Sequence, residues 1–161
     1  MSIIHAPSRE AVRLAGPPAR VLLIQAPYYD QVVGGMRTGA EGVFAEAGAT
    51  LDVVNVAGAF ELPATLRCAL IQQAVRYDGF LILGCVVKGE TDHYEHICRE
   101  TCTGVMGIAA ETGAAIGFGL LTVHTLQQAL ERSGEDKHNK GAEAAHALLM
   151  QVALRRAWGI A

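Results

Sequence analysis

The stretch Phe80-Leu81-Ile82-Leu83-Gly84-Cys85-Val86-Val87-Lys88-Gly89-Glu90-Thr91-Asp92-His93 decides the architecture. Its first four residues form an apolar run of the length and composition of a buried strand. From about Tyr94 to Ala110 the apolar spacing becomes helical. Between the two lies a polar turn that carries glycine. A strand therefore ends, the chain turns, and a helix begins. In a chain that alternates strands and helices, ligands bind beyond the carboxyl ends of the strands. A helix N-terminus presents unpaired backbone N–H groups and the positive end of a dipole, which suits an anion such as phosphate. His93, in the first turn of that helix, can move protons near neutral pH.

The same alternation extends outward in both directions. Val21-Leu22-Leu23-Ile24 reads as the first strand. Asp30 to Ala47 has helical spacing, with Gly48 as its stop. Leu51 to Val56 is β-branched and reads as a strand. Pro63 suits the first turn of a helix running to about Arg76. The helix after the central turn ends near Gly113, and Asp92 and Glu95 have the spacing of a capping box. Ala115 to Val123 is apolar almost throughout, as expected of a strand covered on both faces. Thr125 can cap a short helix, Leu126 to Arg132. Residues 135–140 read as a polar loop, followed by a helix from Ala142 to about Ala157. The order β-α-β-α-β-α-β-α-α predicts an α/β fold: a parallel sheet with helices on both faces. Residues 1–19, with Pro7, Gly16, Pro17 and Pro18, read as an irregular tail, and residues 20–161 as a single domain.

Composition narrows the function classes. At 161 residues, 51% apolar and 18% charged, the chain is long enough to bury a real core. A net charge of −3 gives no support for a nucleic-acid partner. No apolar run reaches the ~18–20 residues of a membrane span. The first residues lack the pattern of a signal peptide, so a cytoplasmic location is expected. Cys68, Cys85, Cys98 and Cys102 contain no CxxC pair and read as buried free thiols. His93, His96, Cys98 and Cys102 are zinc-ligand types. On one helix, at 100° per residue, they cannot converge on one ion, so a metal site is rejected.

All β→α turns of a parallel sheet lie at one edge. Here they are residues 26–30, 57–61, 88–93 and 123–125. They bring aromatics, a carboxylate, a histidine and an anion-ready helix start to that edge. A planar heterocycle can stack on the aromatics, and hydroxyls can be taken by the carboxylate.

From about Val21 to Arg156 the chain resembles the 6,7-dimethyl-8-ribityllumazine synthase family of riboflavin biosynthesis. The resemblance rests on five motifs in order: Gly58-Ala59-Phe60-Glu61-Leu62-Pro63, Gly89-Glu90-Thr91-Asp92-His93, Phe118-Gly119-Leu120-Leu121-Thr122, Glu131-Arg132, and Asn139-Lys140-Gly141-Ala142-Glu143-Ala144-Ala145. It implies a three-layer α-β-α sandwich with a four-stranded, mainly parallel, flavodoxin-like sheet. The implied reaction condenses 5-amino-6-(D-ribitylamino)uracil with 3,4-dihydroxy-2-butanone 4-phosphate. It needs neither cofactor nor metal.

The resemblance also implies the site. Tyr28 stacks on the pyrimidine. Ala59, Phe60 and Glu61 hold the ribityl chain. Val86, Val87 and Lys88 line the site. Gly89, Glu90 and Thr91 cradle the phosphate, and Arg132 pairs with it while Lys140 lies close. His93 handles protons. Phe118 comes from a neighbouring subunit. Homo-oligomers built from pentamers, with active sites between subunits, are implied as well. The short loop from Gly134 to Asn139 points to a hollow icosahedral shell. The chain departs from the family at Tyr28-Tyr29, where Phe-Asn or Phe-Tyr is usual, and at Pro27, where Arg is common. The alternative is a catalytically weak shell-forming or flavin- or lumazine-binding paralogue; a generic flavodoxin-like binder would give Glu61 and Phe118 no use. His5, His124, His138 and His146 read as ordinary surface or core residues.

Overall fold

The computed structural model describes residues 10–160, so His5 and Pro7 fall outside the described residues. Four strands form one sheet: β1 (Arg20–Gln25), β2 (Thr50–Asn55), β3 (Gly79–Val87) and β4 (Ile116–Val123). Their spatial order is β2-β1-β3-β4, and every pairing is parallel. The helices are α1 (Asp30–Glu46), α2 (Leu62–Ile71), α3 (His93–Thr112), α4 (Leu126–Leu130) and α5 (Lys140–Ala157).

The period-two rule of a strand divides the core into two layers. Val21 and Leu23 of β1, and Leu81, Leu83 and Cys85 of β3, pack with residues of α1 and α5 such as Met36, Phe44, Leu148 and Leu149. The alternate residues Leu22, Ile24, Phe80 and Ile82 pack with Leu62 and Leu66 of α2 and Val105 of α3. The expected three-layer, flavodoxin-like sandwich is present, with a sheet that is parallel throughout.

Four local expectations are corrected. Helix α2 stops at Ile71, five residues before Arg76. Gln72 is extended there, and its side chain takes over backbone partners: Nε2 donates to the carbonyls of Ala69 and Val75, and Oε1 accepts from Val75 N–H. The Asp92–Glu95 capping box does not form. Asp92 is itself helical in backbone and its side chain caps nothing, while Glu95 lies 4.0 Å from the Lys88 ammonium. The box forms instead at Thr125, whose Oγ1 accepts from Gln128 N–H while Gln128 Oε1 accepts from Thr125 N–H. Strand β4 lies at the sheet edge and is fully covered on one face only: Gly117, Gly119, Leu121 and Val123 are buried, while on the other face Ile116 is buried and Leu120 partly so, but Phe118 and Thr122 are exposed. Of the four cysteines only Cys85 is buried; Cys68 is exposed and Cys98 and Cys102 are intermediate.

Two further differences concern chain ends. Helix α5 begins two residues before the expected Ala142, because Asn139 caps it: Asn139 Oδ1 accepts from Ala142 N–H at 3.0 Å. Of the tail assigned to residues 1–19, residues 1–9 lie outside the described residues; in residues 10–19 Val12 and Leu14 pack against the α1–α5 core, and Arg156 donates to the carbonyls of Ala15 and Pro17.

Candidate active site

The parallel sheet puts the carboxyl ends of all four strands at one edge. Three of the four connections there carry most of the candidate residues. After β1, Pro27–Tyr29 make a 3-10 turn before α1. After β2, Ala59–Glu61 make a second one, before α2. After β3, residues 88–92 form the open turn into α3, and Lys88 N–H donates to the Val123 carbonyl of β4 at 2.8 Å.

The aromatic and ribityl-side candidates stand on the first two turns. Tyr28 is 76% exposed and Phe60 60% exposed, although both are large and apolar. The rings of Tyr28 and Tyr29 meet edge-on with centroids 5.1 Å apart. Burial, first, and then the neighbouring Tyr28 and Cys85 raise the pKa of Tyr29, so its hydroxyl stays protonated. The Ala59–Glu61 turn is tied down from α3: Thr101, a buried polar side chain, donates from Oγ1 to the Ala59 carbonyl at 3.1 Å. Glu61 folds back towards Gly58, where an added Cβ would lie 3.3 Å from its Oε2.

The third turn holds the anion-side candidates. Val86 and Val87 are half-buried at the end of β3, and Lys88, Gly89, Glu90 and Thr91 lie towards solvent. Open space surrounds Gly89: an added Cβ there would meet no atom within 4 Å. His93 is the first residue of the 20-residue helix α3 and is exposed. Beside it, Tyr94 sets its ring edge-on to His124 with centroids 6.4 Å apart, and burial together with Cys98 raises the Tyr94 pKa. Burial and Cys98 also push the Cys85 thiol up to about 11, which keeps it un-ionised below the site.

Arg132 and Lys140 sit together on the α4–α5 connection. The Lys140 N–H donates to the Arg132 carbonyl at 2.8 Å. The Arg132 guanidinium donates to the Gln128 carbonyl at 2.8 Å, and the Lys140 ammonium pairs with Glu143 at 2.6 Å. The loop that carries them is clamped by Asn139, which is 2% exposed.

Phe118 does not stand at this edge. It pairs with Ile82 in the middle of the sheet, five residues before the end of β4. At about 3.3 Å per residue that is roughly 16 Å away. A cleft of about 600 Å³ lies at the opposite edge, lined by Arg76, Tyr77, Asp78, Arg155 and Arg156 among others, and holds none of the candidates. In a single chain the candidate site is an open shelf with aromatic, carboxylate, anion-binding and proton-moving groups. Such a shelf can hold a flat ring and a phosphate side by side.

The model of the family 6,7-dimethyl-8-ribityllumazine synthase matches residues 18–156. The chain belongs to this family. Its relatives of that name include a protein of Paramagnetospirillum magneticum, 41% identical over 88% of this chain and 98% of the relative. One of Bartonella henselae is 39% identical over 86% and 90% of the two chains. One of Nitrobacter winogradskyi is 37% identical over 94% of each. The match takes in all four strands and every candidate residue.

Sequence reasoning missed two residues that tie down segments carrying the candidates. Thr101 lies four positions before Val105, the other buried residue of α3, so its place on the inward stripe was readable. Asn139 stands directly before a helix, where an Asn side chain serves as a cap, and that signal was present in the motif itself.

Proposed function

We propose that this chain condenses 5-amino-6-(D-ribitylamino)uracil with 3,4-dihydroxy-2-butanone 4-phosphate. The product is 6,7-dimethyl-8-ribityllumazine, and phosphate and water are released. The observation that carries this reading is the Gly89–His93 turn: an open glycine cradle and a histidine meet at the start of a long helix, at the ligand edge of a sheet of this family.

In this reading Tyr28 stacks on the pyrimidine. The Ala59–Phe60–Glu61 turn holds the ribityl chain, with Glu61 accepting its hydroxyl hydrogens. Val86, Val87 and Lys88 line the floor, and Gly89, Glu90 and Thr91 take the phosphate on backbone N–H groups. The 5-amino nitrogen attacks the butanone carbonyl, and loss of water leaves an imine. Elimination then takes the proton from the hydroxyl-bearing carbon and breaks the C–O bond to phosphate, and the enol left behind tautomerises to a new carbonyl. Attack by the ribityl-bearing nitrogen on that carbonyl closes the second ring with loss of a second water. Each step moves a proton to or from nitrogen, carbon or oxygen, which is the work assigned to His93. Arg132 stays charged and can bind two oxygens of the departing phosphate, with Lys140 adding a second positive charge. Most of the acceleration comes from holding two reactants in attack geometry.

The mid-strand position of Phe118 requires a second copy of the chain if its ring is to cover the heterocycle. We therefore read residues 20–161 as one domain that assembles into pentamers with sites between subunits. The short 134–139 loop favours further assembly into a shell, and the setting is cytoplasmic. No helix among the described residues is long and apolar enough to cross a membrane. Expression in a bacterium lacking its own lumazine synthase tests the function. Growth without added riboflavin is the expected result; no growth from soluble, folded protein would refute it.

A further inference from the structure

The α4–α5 connection is tied to α1 through one buried polar side chain, Asn139. The Asn139 Nδ2 lies within hydrogen-bond distance of three carbonyls, among which its two hydrogens are shared: Gly35 of α1 at 2.9 Å, Ser133 at 3.2 Å and Gly134 at 2.8 Å. Its Oδ1 caps α5 through Ala142 N–H. One side chain thus closes the loop on itself, ties it to α1 and starts the next helix. The loop ends carry Arg132 and Lys140, joined directly by the Lys140 N–H to Arg132 carbonyl bond.

Helix α1 is cut away where this loop lands. A Cβ on Gly35 would fall 2.3 Å from the Ser133 carbonyl oxygen, and one on Gly39 would fall 2.5 Å from the Asn139 side chain. On the other side, a Cβ on Gly141 would fall 2.0 Å from the Met36 carbonyl oxygen. Gly35 and Gly39 lie one helical turn apart and so form one notch on the same face. None of these three glycines has a positive φ, so close approach and not backbone conformation explains them. A cap alone would need only the Oδ1 bond. The amide's bond to Gly35, its bonds within the loop and the glycine notch together hold the loop against α1.

We infer that Asn139 is a positioning residue for the phosphorylated substrate: seated in the Gly35–Gly39 notch, it sets the separation and aim of Arg132 and Lys140. This rests on the reading of those two residues as the phosphate partners. Asn139 itself needs no contact with substrate. A cation pair held on a rigid loop binds a phosphate without first ordering itself, and a displacement of about 1 Å in such a group costs as much as ~100-fold in rate.

The test uses the purified full chain with steady-state kinetics in both substrates and with inorganic phosphate as a competing ligand. Asn139→Asp keeps the cap acceptor but turns an oxygen towards three carbonyls. Gly39→Ala displaces the amide without touching its chemistry, and serves if the first variant does not fold. Both are expected to raise KM for the butanone phosphate about tenfold or more and to weaken inorganic phosphate in parallel. KM for the pyrimidine should stay within about twofold, on a protein that still melts cooperatively. Equal changes in the two KM values, or a lowered melting temperature with neither KM moved, would overturn the inference and leave Asn139 a stability residue. Arg132→Ala separates this from the underlying reading. If it raises KM for the phosphate substrate and Asn139→Asp does not, the positioning role falls alone. If Arg132→Ala leaves that KM unchanged, the phosphate reading falls, and the inference with it.

Discussion

Replacing Thr101 by Val removes one hydroxyl and keeps the shape of the side chain. The lost bond is the 3.1 Å donation from Oγ1 to the Ala59 carbonyl, made by a residue that is 1% exposed. The Ala59 oxygen would not be orphaned, because the Leu62 N–H also donates to it within the turn. The cost is therefore that of a net hydrogen bond, about 0.5–1.5 kcal/mol, and not the larger penalty of a stranded buried acceptor. For a chain of this size each kcal/mol lowers the melting temperature by about 2–4 °C. Thr101→Ser makes the reciprocal change. It keeps the hydroxyl and loses a buried methyl, for a similar cost of about 1 kcal/mol. The two variants should thus lose comparable stability in urea. Only Thr101→Val cuts the tie between α3 and the Ala59–Glu61 turn. If the whole of that energy is felt in binding, KM for the pyrimidine rises about two- to tenfold in Thr101→Val, and stays near wild type in Thr101→Ser. Equal KM changes in the two variants would refute the idea that this bond positions the turn.

Other expectations follow from the same contacts. His93→Ala should lower kcat by about 10²–10⁴-fold with little change in substrate binding, measured by pre-steady-state turnover; unchanged kcat removes His93 from the proton-transfer steps. Hydrogen bonds from Arg20 and Tyr77 hold the Asp52 carboxyl below its ordinary range. The stability it contributes is present above the unfolded carboxyl's pKa of about 3.9 and lost as pH falls through the lower folded value. The stability gap between wild type and Asp52→Asn should therefore be constant near neutrality and close below about pH 4. A gap that widens in acid would contradict that sign. With its pKa near 11 the buried Cys85 is roughly 0.1% thiolate at pH 8, so iodoacetamide should modify exposed Cys68 long before Cys85, read by peptide mass mapping.

The sheet and the site edge were readable because their signals are local and repeated. The runs Val21–Ile24 and Phe80–Leu83 are apolar at every position, and only strands buried on both faces need that. Gly48 and Gly113 stop their helices with positive φ, as glycine at that position does. The misreadings arose where a single side chain or a neighbour outweighed the pattern. Gln72 ends α2 with hydrogen bonds that no periodicity reports. Strand β4 looks doubly covered because its apolar run is the same whether a helix or something else covers Phe118. The Asp92 box failed because Asp92 entered the helix itself, while an equally spaced box at Thr125 formed. Within the site, the turns were legible from glycine and proline. The ties that hold them, Thr101 to Ala59 and Asn139 to Gly35, were not. Such ties join residues far apart in sequence, and nothing local marks them.

The most direct test of the central claim is turnover by the purified protein with both substrates in metal-free buffer, followed by the absorbance and fluorescence of the lumazine. Formation well above the uncatalysed rate is expected, with one phosphate released per lumazine. Formation at the background rate by folded protein that still binds the pyrimidine would contradict it, and would leave the chain a ligand-binding member of its family.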